Sequence, residues 1–221
     1  MVATRLARVP PFERGLTLGD FLVPIRLGER AATWQRNLLM IGAGVLLISL
    51  SAQVFIPLPF TPVPITGQTF GVLFAAALLG YRRSILTMAL YLLIGAIGLP
   101  VFAEGASGIA RIATVQQGGL VLGASGGYLV GFLFAGALVG RLAELGWDRR
   151  IGGSLAAMFL GNVVIYLFGL PWLMAALETD AGTALTRGLY PFVLGDVVKL
   201  AVAAGVLPVG WWLVKRRSAD R

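Results

Sequence analysis

The chain has 221 residues, 57% of them hydrophobic and 13% charged, with a mean hydropathy of +0.85 and a net charge of +8. A single soluble core cannot bury that much apolar surface, so the composition excludes a soluble globular protein and requires an integral membrane protein. The absence of Cys and His removes thiol nucleophiles, disulfides, zinc sites of the usual kind and imidazole acid/base chemistry.

Lys199 and Lys215, the two lysines, each follow a valine, so there is no Walker A sequence and no ATP hydrolysis by that route. Nucleotide-driven transport would draw on another subunit. Nor does the positive charge imply nucleic acid. The bases cluster in flanks and alternate loops, whereas a nucleic-acid surface needs a contiguous solvent-facing patch.

Residues 1–37 carry Arg5, Arg8, Arg14, Arg26, Arg30 and Arg36 against Glu13, Asp20 and Glu29, without the apolar core of a signal peptide. The expectation is a retained basic cytoplasmic segment, in which Leu16 to Leu27 is amphipathic enough either to lie on the membrane surface or to stay floppy. A first span is predicted from Leu38 to Ile56, long enough to cross a ~30 Å hydrocarbon layer at about 1.5 Å per residue. Pro57, Pro59, Pro62 and Pro64 then impose an extended outer loop. The second span, Ile65 to Gly80, is short. It opens with Thr66, Gly67, Gln68 and Thr69, whose polar side chains suit a cavity wall, Thr66 being equally suited to an N-cap. Tyr81-Arg82-Arg83 turns the chain on the cytoplasmic side.

A third span runs from Ile85 to Leu99. The following loop, Phe102 to Gly127, is long and glycine-rich, with Glu104, Arg111, Gln116 and Gln117 as its polar content; it is either a lid over the outer mouth or a plain connector. The fourth span, Tyr128 to Leu142, is read as a packing helix, with small residues four apart at Gly127, Gly131 and Ala135 and again at Gly136 and Gly140. The fifth, Ile151 to Leu170, contains Asn162 and Tyr166 and is expected to stop at Gly169-Leu170-Pro171. An outer loop with Glu178, Asp180 and Arg187 leads to the sixth span, Tyr190 to Val214, closed by Lys215-Arg216-Arg217. The expected fold is an all-α bundle of six membrane helices, divided as 1–37 (basic cytoplasmic segment), 38–214 (membrane domain) and 215–221 (basic cytoplasmic tail). Fifteen of the 18 basic residues fall in segments assigned to the cytoplasm, which places both termini inside.

Asp196 is the only acid, and Lys199 the only base, that must lie inside a span; the other charges can be placed in loops or tails. A lone charge at mid-bilayer costs roughly 2.5–3.5 kcal/mol, so such residues mark function, and three residues apart on a helix they share a face and can neutralise each other. Two readings stay open: a polar recognition site in an apolar wall, or a pair that serves helix packing.

Four stretches occur in order: Pro62-Val63-Pro64-Ile65-Thr66-Gly67-Gln68-Thr69, Tyr91 through Gly98-Leu99-Pro100-Val101-Phe102-Ala103, Gly126-Gly127-Tyr128-Leu129-Val130-Gly131-Phe132, and Pro191-Phe192-Val193-Leu194-Gly195-Asp196-Val197-Val198-Lys199. Together they resemble the signatures of the BioY family, the biotin-specific S components of energy-coupling-factor (ECF) transporters, over roughly Leu38 to Val214. The resemblance implies a six-helix S-component fold in a prokaryotic plasma membrane, biotin capture from outside, and association with a T subunit and ABC-type ATPases. It also implies no catalysis by the chain itself and no cofactor or metal. Two departures stand out. Glu104 and an apparent insertion through Gln117 interrupt a loop that is usually shorter, and the first helix offers Ser49, Ser51 and Ala52 where S components tend to carry an alanine-rich face.

Biotin presents a ureido ring with two N–H donors and a carbonyl, an apolar sulfur ring and a carboxylate tail. Asp196 suits the ureido N–H groups, and Lys199 suits either the ureido oxygen or the tail. Gln68, Tyr91, Asn162 and Tyr166 are secondary candidates, each also open to a structural hydrogen-bonding role. A self-contained carrier coupled to protons or ions is the alternative, although no repeat-related second polar site accompanies Asp196. A membrane enzyme is disfavoured, because no second carboxylate, His or Cys stands in a span.

Overall fold

The computed structural model describes residues 15–22, 31–116 and 118–219. Of the positions discussed above, Arg5, Arg8, Glu13, Arg14, Arg26, Glu29, Arg30 and Gln117, and the end of the Leu16 to Leu27 stretch, lie outside the described residues.

In chain order the elements are α1 (Leu18–Leu22), α2 (Ala31–Ala52), β1 (Phe55–Ile56), β2 (Ile65–Thr66), α3 (Gln68–Leu79), α4 (Tyr81–Ala96), β3 (Ala113–Gln116), β4 (Gly119–Leu122), α5 (Gly126–Glu144), α6 (Ile151–Leu177), α7 (Ala181–Gly188) and α8 (Tyr190–Ala219). Single 3₁₀ turns lie at Ala103–Gly105, Ile109–Arg111 and Trp147–Arg149. Among the described residues, four segments are long and apolar enough to cross a membrane: Thr33–Ala52, Gly126–Glu144, Ile151–Leu177 and Tyr190–Arg216. Their outer faces carry Leu46, Leu50, Leu167 and Leu194, all exposed, which marks a lipid-facing surface.

At the centre stands α3, apolar all round and therefore enclosed, with Val72, Ala76 and Ala77 at 0–1% exposure. It packs against α1, α2, α4, α5, α6 and α8. Its 12 residues extend only about 18 Å, well short of a ~30 Å hydrocarbon layer, so its polar first turn stands within the bundle. At the other end Gly80, with φ +79°, both closes α3 and opens α4; the left-handed region is open to glycine at little cost. Glu144, from the end of α5, accepts the Tyr81 N–H at 2.9 Å and so caps a donor that the start of α4 would leave unpaired.

The small residues of α5 serve two neighbours. Gly127 and Gly131 face Ile165, Phe168 and Trp172 of α6, whereas Gly136 faces Met88 of α4 and Gly140 lies against the Gly80–Tyr81 backbone. A Cβ at position 140 would stand 2.6 Å from the Gly80 carbonyl carbon.

Two expectations need correction. The fifth helix does not stop at Gly169-Leu170-Pro171. It runs through Pro171 to Leu177 and ends where Glu178 turns left-handed at φ 48°. Pro171 deprives the helix of one donor, but Gly169 admits the Tyr128 ring of α5, and that packing keeps the segment helical. The first helix ends at Ala52, short of Ile56, because Phe55–Ile56 pairs antiparallel with Ile65–Thr66 and closes the proline loop as a two-stranded ribbon. Within the glycine-rich loop, Ala113–Gln116 and Gly119–Leu122 form a hairpin that was not foreseen, with Gly118 at φ +81° in its turn. Trp172 of α6 donates its indole N–H to the Gly123 carbonyl at 3.0 Å and pins the hairpin base.

The opposite end of the bundle is tied by charge. Asp20 pairs with Arg83 at 2.8 Å and with Arg36, joining the α1 segment to α2 and α4. Burial alone would raise the Asp20 carboxyl, but the Thr17 N–H and the Arg83 and Arg36 guanidinium groups outweigh it and hold it below the usual carboxylate range. Trp211 of α8 donates to the buried Asp148 at 2.6 Å and takes Phe21 edge-on at 5.6 Å.

Candidate functional site

Because α3 is short, its first turn forms part of the wall of a cavity of about 790 Å³, counting the space open to solvent at its mouth. Helices α5, α6 and α8 supply apolar walls through Leu129, Phe132, Ile165 and Phe192. Two loops complete it: the proline loop with Pro62, Val63 and Pro64, and the segment after α4 with Phe102, Ala103, Glu104 and Ala106.

Asp196 and Lys199 line this cavity together. Their three-residue spacing on α8 places Lys199 Nζ 3.1 Å from Asp196 Oδ1. Asp196, 5% exposed, accepts two further hydrogen bonds at Oδ2, from Asn162 Nδ2 at 2.8 Å and from the Tyr166 hydroxyl at 2.5 Å. Asn162 and Tyr166 are four apart on α6 and so present both donors from one face. Lys199 donates a second bond to Thr69 Oγ1 at 2.9 Å, from the first turn of α3. A carboxylate has about four acceptor sites and an ammonium three donors. One acceptor site of Asp196 and one N–H of Lys199 therefore stay open for the cavity.

The six residues singled out from the sequence divide into groups. Asp196, Lys199, Gln68 and Tyr166 line the cavity. Asn162 stands behind them, bonded to Asp196 and facing a smaller cavity of about 230 Å³. Tyr91 is fully buried outside the cavity; it accepts from Gln68 Nε2 at 2.5 Å and donates to the Val101 carbonyl at 3.0 Å, which fixes Gln68 and the loop after α4. Thr66 lines the cavity, and its Oγ1 accepts the Gln68 N–H at 3.2 Å, but the N-cap of α3 is Gly67 rather than Thr66.

Three participants stand outside those six. Thr69 anchors Lys199, and its place in a polar run beside Gln68 was the available signal. Arg111 lines the cavity from the loop that leads into β3, and its signal was the one cation in the glycine-rich outer loop. Tyr128 lines the cavity, packs edge-on to Tyr166 at 6.2 Å and donates to the Gly188 carbonyl at 2.9 Å; its available signal was its place in the Gly126–Phe132 stretch.

The profile of the BioY family matches residues 28–216. A relative from Rhizobium etli, the biotin transporter BioY, is 37% identical over 186 residues, covering 78% of this chain and 92% of the relative. The biotin transporter BioY of Thermotoga maritima is 34% identical over 165 residues, covering 75% and 90%. Among solved structures, the S-component for biotin from an ECF-type ABC transporter superposes with a TM-score of 0.71 at 27% identity, covering 82% of this chain and 93% of that one. With transporter relatives and apolar helices of spanning length, the chain is a multi-pass membrane protein. It belongs to the BioY family.

Proposed function

We propose that this chain captures biotin from the outer side of a prokaryotic plasma membrane and passes it inward as an ECF S component, together with a T subunit and ABC-type ATPases. One observation carries the reading: an apolar cavity contains a buried Asp196 paired with a half-buried Lys199, with one acceptor site and one donor to spare. A ureido group offers the complementary N–H and carbonyl side by side, and the Phe132, Ile165 and Phe192 walls suit the sulfur ring. Asn162, Tyr166 and Thr69 orient the pair, while Gln68 adds a polar edge. Arg111 at the mouth suits the tail carboxylate.

In this reading α2, α4, α5, α6 and α8 each cross the membrane once, α3 completes its crossing together with the chain that leads into it from the proline loop, residues 1–37 and 215–221 face the cytoplasm, and the cavity opens outward. The cytoplasmic bias of the arginines supports that orientation.

The decisive experiment is small-molecule mass spectrometry of material released from protein purified after growth with biotin, beside calorimetric titration. Co-purified biotin and a saturable titration are expected; a protein that neither retains nor titrates biotin overturns the reading.

A further inference from the structure

Gln53, just beyond the end of α2, is not part of the cavity wall described above, yet its side-chain amide brackets a turn that is. Its Nε2 donates to the Phe102 carbonyl at 3.1 Å and to Ser49 of its own helix at 3.2 Å. Its Oε1 accepts the Gly105 N–H at 3.0 Å. One amide thus holds both sides of the Ala103–Gly105 turn, whose flanks Phe102 and Ala106 form a cavity wall with Ala103 and Glu104. Glu104, inside the turn, sits at φ 61°, a conformation that a non-glycine residue keeps only where its surroundings enforce it.

The opposite wall is tied to the same place. Val54, next to Gln53, accepts the Gly67 N–H at 2.8 Å, and Phe55–Ile56 pairs with Ile65–Thr66, so the proline loop is also fastened to the end of α2. Both loops at the cavity mouth therefore hang from one short stretch. On the loop after α4, a second fastening comes from within the bundle through the Tyr91 hydroxyl on Val101 and the Phe102 ring edge-on to Tyr91 at 5.5 Å.

We infer that Gln53 is a positioning residue that latches the Phe102–Ala106 wall to α2, so that displacement of the end of α2 opens the cavity and sets the rate at which ligand enters and leaves. The inference rests on the biotin-capture reading for its ligand and on the hydrogen bonds alone for its mechanics. Bonds of an exposed amide compete with water and contribute little net stability each, so the latch can open without unfolding the bundle.

The test compares the parent with Gln53→Leu, which removes both bonds to the turn, and Gln53→Glu, which keeps an acceptor for Gly105 but loses the donor to Phe102. Dissociation of radiolabelled biotin under a cold chase, amide hydrogen exchange of residues 99–112 without ligand, and melting temperature are measured on each. Gln53→Leu is expected to speed dissociation roughly tenfold and to accelerate exchange at Gly105, with little change in melting temperature. Gln53→Glu should keep part of the Gly105 protection. Adding Tyr91→Phe to Gln53→Leu should change dissociation by other than the sum of the single effects, since both side chains hold one turn. Unchanged exchange at Gly105 overturns the latch whether or not the parent binds biotin. Dissociation that changes only in step with melting temperature also overturns it. Faster exchange in a parent background that binds no biotin supports the latch and refutes the ligand.

Discussion

Asp196 shares its charge among Lys199, Asn162 and Tyr166, and each partner can be removed separately. Asp196→Asn should weaken biotin binding by about 2–5 kcal/mol, the usual cost of breaking a buried charged pair, with a smaller fall in ligand-free melting temperature. Lys199→Ala should harm folding more than the double change Asp196→Asn with Lys199→Met, because the single change strands a carboxylate and the double one leaves no charge. Binding should be lost in both, as calorimetry beside a melting curve will read; a double variant that binds like the parent would make the pair a packing device. At this scale the sequence was informative wherever polarity was out of place. Charges within a span exposed Asp196 and Lys199, and polar groups on span helices exposed Asn162 and Tyr166. What it could not supply was Tyr91's position behind Gln68 rather than in the cavity, or Thr69's bond to Lys199, since both depend on how α3 meets α4 and α8.

Between helices, close approach and buried charge set the constraints. Gly140→Val places a side chain against the Gly80 carbonyl carbon, 2.6 Å from its Cβ, where backbone cannot yield as a rotamer would; the expected loss is about 1–3 kcal/mol, seen as a lower melting temperature. Gly152→Ala, with open space around its Cβ, is the neutral control. Between α5 and α6, burial pushes the Asp148 carboxyl up to about 6, against the opposing Trp211 N–H and Arg149 guanidinium. Folded protein then retains a proton that the unfolded chain gives up near 3.8, so this group favours folding at low pH and loses that contribution, roughly 3 kcal/mol, as pH rises through about 6. Asp20 has the opposite sign: its stabilisation is present above the ordinary carboxylate value and is lost as pH falls through its lowered one. Melting curves from pH 4 to 7 should decline for the parent and flatten for Asp148→Asn. Small-residue spacing foretold the packing role of α5 because that periodicity is local. The continuation of α6 past Pro171 was not legible, because it depends on the Tyr128 ring entering at Gly169 from another helix. The hairpin was likewise hidden, as its strands are only four residues each and their flanks read as loop.

For the whole molecule, the arginine bias yields a topology that fusions can test: reporters at Arg83, Arg149 and the C-terminus should behave as cytoplasmic, and those at Pro59 and Asp180 as external. A C-terminus found outside would refute the six-span arrangement. Composition made the membrane class legible at once, but the short α3 and the cavity beneath the loops are properties of the assembled bundle. The distribution of its indoles has an optical consequence. Trp34 opens α2, Trp147 lies between α5 and α6, and Trp211 and Trp212 lie near the end of α8, all at the end away from the cavity. Trp172 alone sits at the cavity end, hydrogen-bonded at the hairpin base. A change in emission that survives replacement of the other four by phenylalanine would therefore come from one chromophore beside the mouth, and its wavelength would follow the hairpin base as water gains or loses access.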